Sequence, residues 1–241
     1  MIELKNVSRM YARGTKEIEA LHDITLAIKR GEFLSVMGPS GSGKSTLLNI
    51  IGGLDQPTSG EVFIDDRPLH GISDDDLTLI RRRRVGFVFQ FFNLLPILTA
   101  AENVCLPLLL EGIPFARVKP KAESLLRKVG LGERFEHRPE QLSGGEMQML
   151  AIARTLMGNP ELILVDEPTE GLAPLIVEVV GKVIREINGS GTTVLLVEQK
   201  LQLVMGLVGR IYIMSKGTIQ WEGTPEILKA QEEIRKKYLE V

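Results

Sequence analysis

Five short apolar runs recur along the chain, and turn residues follow each of them. The runs are Phe33–Met37, Val85–Phe89, Leu162–Val165, Val194–Val197 and Ile211–Met214. Uninterrupted apolar runs of this length are typical of strands that are buried on both faces of a parallel sheet. Helical patterns lie between several of these runs, so the sequence predicts an α/β fold with a mainly parallel sheet.

The first 30 residues follow a different pattern. Ile2 and Leu4, and later Ile24, Leu26 and Ile28, alternate with polar residues. Alternation with a period of two is typical of half-buried antiparallel strands. We therefore expect an antiparallel β subdomain at the N-terminal side of the α/β core.

Strand patterns are missing from about residue 92 to residue 155, where leucine and valine recur at helical spacing. We expect helices there, broken at Pro107, Pro114 and Gly130. This stretch is interpreted as an α-helical subdomain inserted into the α/β fold.

The domain organisation follows from these patterns. No repeat or flexible linker divides the chain, so we expect one domain, 1–241. Within it, 1–91 and 156–241 are predicted to form the α/β lobe with its antiparallel part, and 92–155 the helical subdomain with a second loop motif described below.

Composition restricts the class of protein. The chain has 241 residues, 44% hydrophobic and 25% charged, with a formal net charge of −2, which is ordinary for a globular domain. The single cysteine, Cys105, allows no disulfide within the chain, and no run of about 18 apolar residues predicts a membrane span. The first residues carry charges where a secretory signal has its apolar core. We expect neither a secreted disulfide-rich protein nor a nucleic-acid-binding one.

A glycine-rich loop provides the first candidate chemistry. Gly38-Pro-Ser-Gly-Ser-Gly-Lys-Ser45 fits the pattern G-x-x-x-x-G-K-[ST], between a predicted strand and a predicted helix. Small residues let backbone N–H groups surround phosphate oxygens, and the following helix adds its dipole. Lys44 can reach the β- and γ-phosphates, and the Ser45 hydroxyl can bind Mg²⁺. The expected nucleotide-binding residues of this loop are Gly38, Pro39, Ser40, Gly41, Ser42, Gly43, Lys44, Ser45 and Thr46.

Two carboxylates end the apolar run Leu162–Val165. They are Asp166 and Glu167, and a strand end beside a phosphate loop is where an aspartate associated with Mg²⁺ belongs. Since successive strand residues point to opposite sides, we expect different roles for them. Asp166 is assigned to the metal and Glu167 to polarising the attacking water, the alternative being an ordinary solvated strand end.

A second loop of small residues, Leu142-Ser-Gly-Gly-Glu146, precedes a helical stretch. A helix N-terminus of this kind suits a second anion site. On its own the pattern is weak, and an ordinary N-cap turn is the alternative.

Taken together, these motifs resemble the ATP-binding cassette of ABC transporters. The phosphate loop, Gln90 after a strand, the Leu-Ser-Gly-Gly-Glu loop, the Asp-Glu strand end and a later polar strand end have the family's order and spacing over nearly the whole chain. The resemblance implies an ATPase subunit that uses ATP and Mg²⁺. It also implies that the subunit drives transport through separate transmembrane permease subunits, at the cytoplasmic face of the cell membrane.

The resemblance also assigns roles to single residues. Two cassettes pair head-to-tail, and each ATP contacts the phosphate loop of one chain and Ser143, Gly144, Gly145 and Glu146 of the other. Tyr11 is then the aromatic residue that stacks on adenine. Gln90 is the residue that links Mg²⁺ and the attacking water to the membrane subunit, whose coupling helices contact the helical subdomain.

Two positions depart from the family pattern. Gln199 stands where most cassettes have a histidine, and Ala173 stands where the loop after Glu167 usually ends in an aspartate. Gln199 can donate a hydrogen bond to the γ-phosphate, but it cannot carry a positive charge or transfer a proton. We therefore expect slow basal ATPase activity.

The subgroup resemblance changes along the chain. The segments up to Glu146 are similar to the lipoprotein-release and macrolide-efflux type, whereas those from Met147 onward are similar to the second ATPase of branched-chain amino-acid and urea importers. The change lies near Glu146–Ala151. Recombination, natural or engineered, is one interpretation, and a single divergent lineage is the other. Two alternative functions remain. One is an engineered or recombined cassette with a weak transport role or none, and the other is a non-transport ATPase for DNA repair or translation.

Overall fold

The computed structural model describes residues 1–14 and 16–239. The strands are β1 (Ile2–Arg13), β2 (Lys16–Ile28), β3 (Phe33–Met37), β4 (Ser59–Ile64), β5 (Arg67–Pro68), β6 (Val85–Val88), β7 (Leu162–Asp166), β8 (Thr193–Val197), β9 (Arg210–Ser215) and β10 (Thr218–Gly223). The α-helices are α1 (Lys44–Ile51), α2 (Asp74–Arg83), α3 (Ala100–Leu109), α4 (Phe115–Lys128), α5 (Gly144–Leu156), α6 (Pro174–Gly189), α7 (Leu201–Met205), α8 (Pro225–Ala230) and α9 (Glu232–Tyr238), and a 3₁₀ helix covers Pro139–Gln141.

Six strands form the central sheet, in the order β10-β9-β3-β8-β7-β6. The contacts from β9 through β6 are all parallel, and only β10 joins antiparallel to β9. Every residue of β3 and β8 is buried, as the continuous apolar runs predict. The predicted α/β fold with a mainly parallel sheet is confirmed. Because parallel strands end at one edge of a sheet, the residues after β3, β6, β7 and β8 are brought to the same side.

The first strands form a separate four-stranded antiparallel sheet, in the order β2-β1-β4-β5. Ile2 pairs with Ile28 and Leu4 pairs with Leu26, so the alternating apolar positions lie on one face. That face and α1 share one buried cluster with β3 and β8. The antiparallel subdomain thus holds α1, and the phosphate loop that precedes it, against the central sheet.

Helices α3, α4 and α5 lie between β6 and β7 in the chain and pack on one another. The expected break at Pro107 is wrong, because α3 continues past it to Leu109. A capping box of Thr99 and Glu102 starts this helix, and the buried Asn103 amide donates to the carbonyl oxygens of the preceding loop. The cap and the packing against α4 and α5 offset the one hydrogen bond that proline removes.

The expected breaks at Pro114 and Gly130 agree with the structure. Pro114 is the N-cap of α4, and Gly130 (φ +78°) follows the end of that helix. Among the described residues, no helix is both long and apolar enough to span a bilayer.

Candidate functional site

The glycine-rich loop links β3 to α1 at the shared edge of the central sheet. Its backbone needs glycine at Gly38, Gly41 and Gly43, which have φ of +146°, +74° and +100°. A Cβ atom at Gly38 would lie 2.0 Å from the Met214 carbonyl oxygen, and one at Gly43 would lie 2.4 Å from that of Ala20. The loop is therefore built against two neighbouring strands and cannot accept larger residues at these positions.

Lys44 lies inside this loop, and its side chain is only 4% exposed. Its Nζ donates to the carbonyl oxygens of Gly38 (2.9 Å) and Pro39 (2.8 Å) and lies 3.7 Å from Glu167 Oε1. Burial lowers the pKa of Lys44, while the carboxylates of Glu167 and Asp166 act in the opposite direction. The result is a buried cation at the site where the loop would hold phosphate.

Asp166 is the last residue of β7 and lies beside this cation. Burial raises its pKa, a hydrogen bond from the Ser45 hydroxyl opposes the shift, and the negative charge of Glu167 adds to it. Within the described residues, Asp166 Oδ1 and Ser42 Oγ are buried without a hydrogen-bond partner. Buried polar oxygens are normally paired, so these two atoms and Ser45 form a donor set that fits Mg²⁺ and a phosphate group.

Glu167 has a left-handed backbone conformation, with φ +41°. Its N–H donates to the Val197 carbonyl oxygen (2.9 Å), and its Oε1 accepts a hydrogen bond from Gln199 Nε2 (2.7 Å). Two other predicted catalytic side chains, Lys44 and Gln199, thus lie at the same carboxylate oxygen of Glu167. The Glu167 side chain is 14% exposed and remains accessible to water.

Gln90, the fourth predicted catalytic residue, lies two residues beyond β6 at the same sheet edge. Its Nε2 donates to Glu170 Oε2, in the loop between β7 and α6. The structure thus joins Gln90 to the loop after Glu167, and no hydrogen bond among the described residues joins it to Asp166 or Ser45.

Tyr11 lies near the end of β1 and is half-buried. Its hydroxyl donates to Asp55 Oδ2 (2.5 Å), and the Arg9 guanidinium lies 4.5 Å from the centre of its ring. Arg9 also pairs with Asp55 at 2.8 Å. Asp55, which follows α1 and its turn, therefore fixes the orientation of the Tyr11 ring.

The second small-residue loop starts α5 with a capping box. Ser143 Oγ accepts from the Glu146 N–H, and Glu146 Oε2 accepts from the Ser143 N–H at 2.8 Å. The Ser143 N–H, Arg134 Nε and the Ser143 hydroxyl all donate to the Glu146 carboxylate, and these three hydrogen bonds lower the pKa of Glu146 to about 2. Among the described residues, no hydrogen bond or ion pair joins Ser143–Glu146 to the phosphate loop. This loop is therefore not part of the same cluster within one chain.

The two glycines of this second loop pack on the segment that follows Glu167. A Cβ atom at Gly145 would lie 2.7 Å from Ile176 Cγ2, and one at Gly144 would lie 3.5 Å from Leu172 Cδ2. Gly145 is thus needed for close approach to α6.

Glu198, directly before Gln199 in the chain, is a buried carboxylate that the sequence pattern did not predict to be functional. Glu198 is 3% exposed and accepts hydrogen bonds from Thr169 and from the backbone of Gln199 and Lys200. The only signal for it in the sequence is a charged residue directly after the apolar run Val194–Val197.

The fold and the site define the class of protein. A glycine-rich loop with a buried lysine, an aspartate beside the loop's serine and a glutamate one residue further on are the parts of a P-loop nucleoside triphosphatase. The family model described as "ABC transporter" matches residues 21–170. The chain belongs to the ABC transporter family, in which it is an ATP-binding cassette with ATPase activity.

Individual relatives support this assignment over most of the chain. The chain is 47% identical over 227 residues to an uncharacterized ABC transporter ATP-binding protein, MJ0796, of Methanocaldococcus jannaschii, covering 92% of this chain and 96% of the relative. It is 39% identical over 223 residues to the lipoprotein-releasing system ATP-binding protein LolD of Saccharophagus degradans, covering 92% and 98%. A dimeric structure of MJ0796 bound to ADP and Pi matches with a TM-score of 0.87 at 45% identity, covering 93% and 99%.

Proposed function

We propose that this cassette binds ATP with Mg²⁺ at the carboxyl edge of the central sheet and hydrolyses it to drive transport through separate membrane subunits. One observation carries the proposal. Glu167 Oε1 is held by Gln199 at 2.7 Å and lies 3.7 Å from Lys44, and the preceding residue, Asp166, has a buried Oδ1 with no hydrogen-bond partner among the residues that the structure describes.

The phosphate loop and Lys44 bind the β- and γ-phosphates in this proposal. Ser45, Asp166 and Gln90 are the residues that would hold Mg²⁺, which when bound neutralises negative charge on the phosphates. Gln90 would have to leave Glu170 for this role, whereas Ser45 and Asp166 already lie together. Tyr11, oriented by Asp55 and Arg9, stacks on the adenine.

Glu167 acts as the group that orients and polarises the attacking water. The Gln199 amide holds its carboxylate, and the hydrogen bond from its backbone N–H to Val197 fixes the backbone from which the side chain projects. Gln199 can donate its second N–H to a γ-phosphate oxygen, and this positions the carboxylate and the phosphate relative to each other. Because Gln199 stays neutral, the transition state receives a hydrogen bond and no added positive charge.

A second cassette completes the nucleotide site. Ser143, Gly144, Gly145 and Glu146 have no polar contact with the phosphate loop within the described part of the chain, so a second chain must supply them from outside. The dimeric arrangement of MJ0796 supports this proposal. Either two identical chains or two related cassettes could form the pair.

The membrane subunits contact the helical subdomain, which we assign to 92–155. Large apolar side chains are exposed near this part of the molecule: Phe91 is 78% exposed, Ile97 75% and Leu110 63%. Exposed large apolar side chains, when they share one surface, are typical of a protein interface. A cassette that binds permeases in this way lies at the cytoplasmic face of the cell membrane.

The mixed subgroup resemblance stays a hypothesis. A relative that aligns with 92% of the chain at 47% identity favours a single lineage over recombination. Comparing the identities of 1–145 and 152–241 with the same set of relatives decides between the two, since a recombined chain would have different nearest relatives in each part.

The Glu167→Gln variant tests the function. We expect ATP binding to remain, turnover to fall by about 10²-fold or more, and an ATP-bound dimer to accumulate on a sizing column with Mg²⁺. Lys44→Ala is the matched control, since it removes the phosphate contact and should abolish both binding and dimer formation. A Glu167→Gln variant with normal phosphate release would contradict the proposed role of this carboxylate.

A further inference from the structure

Glu198 is a buried carboxylate with its hydrogen bonds directed to two different segments. Its Oε2 accepts from Thr169 Oγ1 at 2.8 Å, and its Oε1 accepts from the backbone N–H of Gln199 (2.9 Å) and of Lys200 (3.1 Å). Thr169 is itself fully buried. The carboxylate therefore joins the loop after Glu167 to the turn that carries Gln199.

Two further bonds join the same segments. Lys200 Nζ donates to the Thr169 carbonyl oxygen at 2.6 Å, and the Glu167 N–H donates to the Val197 carbonyl oxygen at 2.9 Å. Residues 167–169 and 197–200 are thus bound to each other through backbone and side chains. The Gln199 amide extends from this joined unit to Glu167 Oε1.

The Glu198 carboxylate is buried at the end of β8, where burial of a charged group costs free energy. Removing a carboxylate from water is unfavourable, and three hydrogen-bond donors offset that cost. An apolar residue at the end of β8 would avoid the cost, as the four buried apolar residues Val194–Val197 before it do. An apolar residue, however, could not accept hydrogen bonds from the N–H groups of Gln199 and Lys200. Glu198 accepts both and so fixes the backbone from which the Gln199 side chain projects.

We propose that Glu198 is a positioning residue for ATP hydrolysis, which holds Gln199 against Glu167 through the hydrogen bonds to Thr169 and to the turn. This proposal rests on the proposed function of Glu167 and Gln199. Glu198 contacts neither nucleotide nor water in this role, and it acts only through the orientation of Gln199. Errors of about 1 Å in such groups are enough to lower turnover by up to about 10²-fold.

The test is steady-state ATPase kinetics of a set of variants at matched protein concentration. We expect Glu198→Ala to lower kcat by about 10-fold, with a KM for ATP within about threefold of the wild-type value, since the phosphate loop is untouched. Glu198→Gln should retain kcat within about twofold, because its oxygen can accept both backbone N–H groups and its NH₂ can donate to Thr169 Oγ1. Glu186→Ala, an exposed glutamate on α6, is the control and should match the wild type.

A double variant separates positioning from general support of the fold. If Glu198 acts through Gln199, Glu198→Ala combined with Gln199→Ala should be no slower than Gln199→Ala alone, whereas independent effects would multiply. Multiplying effects, or a Glu198→Ala variant with wild-type kcat, would overturn the proposal. Should Glu198→Ala not fold, Thr169→Val removes one donor at nearly constant volume and should lower kcat in the same non-additive manner.

The outcome also distinguishes this inference from the proposed function. Loss of turnover in Glu167→Gln with normal kcat in Glu198→Ala refutes the positioning role and keeps the ATPase assignment. Normal turnover in Glu167→Gln refutes both.

Discussion

Glu167 combines an unusual backbone with the central role in the site. A left-handed conformation costs roughly 1–2 kcal/mol at a residue other than glycine, and the hydrogen bond to Val197 helps to stabilise it. Because the backbone turns here, Asp166 and Glu167 leave the end of β7 in different directions. One carboxylate lies beside Ser45 and the other between Lys44 and Gln199.

Gln199→His tests the consequence of a neutral group at this position. Histidine can carry a positive charge and transfer a proton, so we expect kcat for phosphate release to rise roughly 3- to 10-fold. Gln199→Ala, which loses the bond to Glu167, should lower kcat. A histidine variant no faster than the wild type would count against the explanation of slow basal activity.

Cys105 is a residue whose chemistry is suppressed by its surroundings. It is fully buried, and burial raises the pKa of its thiol to about 11. We expect negligible reaction with an aromatic disulfide reagent at pH 8 in the native protein and rapid reaction after unfolding in denaturant. Rapid labelling of the native protein would show that α3 opens in solution.

Helix α6 begins without a side-chain cap, since Ala173 occupies the N-cap. The backbone there (φ −63°, ψ 148°) already has the extended form that a capping residue adopts. Replacing Ala173 therefore requires no backbone change.

Ala173→Asp should stabilise the protein by about 1 kcal/mol and raise Tm by about 2–4 °C in thermal unfolding. Ala173→Asn is the matched control, because it supplies the same cap without charge. An unchanged Tm in both variants would contradict the reading of Ala173 as an uncapped N-cap.

Helix α5 has the opposite design, with a complete capping box. The pKa of Glu146 in the folded protein is about 2, below its ordinary value of 4.5. Because the folded-state pKa is depressed, the stabilisation is complete above 4.5 and is lost as the pH falls from about 4.5 toward 2.

We expect the difference in unfolding free energy between the wild type and Glu146→Ala to be constant near neutral pH and to shrink below about pH 4.5. Denaturant unfolding at several pH values measures it. Glu146→Gln is the control, since its amide does not titrate and its difference from Glu146→Ala should not follow the pH. If the difference in unfolding free energy between the wild type and Glu146→Ala did not change with pH, the lowered pKa of Glu146 would be contradicted.

The two loop motifs lie in different parts of the molecule. The phosphate loop lies at the edge of the central sheet, and Ser143 caps a helix of the inserted part without a polar contact between the two in the described residues. A site made from both requires two chains, which is the arrangement that closed symmetric dimers provide.

Mixing two inactive variants tests this composite site. Lys44→Ala and Ser143→Arg should each be inactive alone. In an equimolar mixture a mixed dimer has one intact site of two, and ATP at that site lets it form although Lys44→Ala alone does not dimerise. Activity that neither variant has alone should therefore return, up to about a quarter of the wild-type value. Ser143 is exposed, so the arginine can be accommodated in the folded chain. No recovery in mixtures of folded variants would contradict the head-to-tail pair.

Prediction from sequence worked best where the pattern was local. The run Phe33–Met37 coincides with β3, and the glycine expected to end a helix, Gly130, follows the end of α4. It failed at Pro107, because packing of α3 against two other helices is not visible in a local pattern. It also missed Glu198, since its bond to Thr169 spans 29 residues.

The sequence by itself determined the strands, the phosphate loop and the identity of the reactive side chains, because each depends on neighbouring residues and on backbone preferences. Only the tertiary structure decided which side chains meet. Gln199 reaches Glu167 across 32 residues, and Gln90 reaches Glu170 across 80. Those contacts depend on the strand order β3-β8-β7-β6, which places distant strand ends side by side at one edge of the sheet.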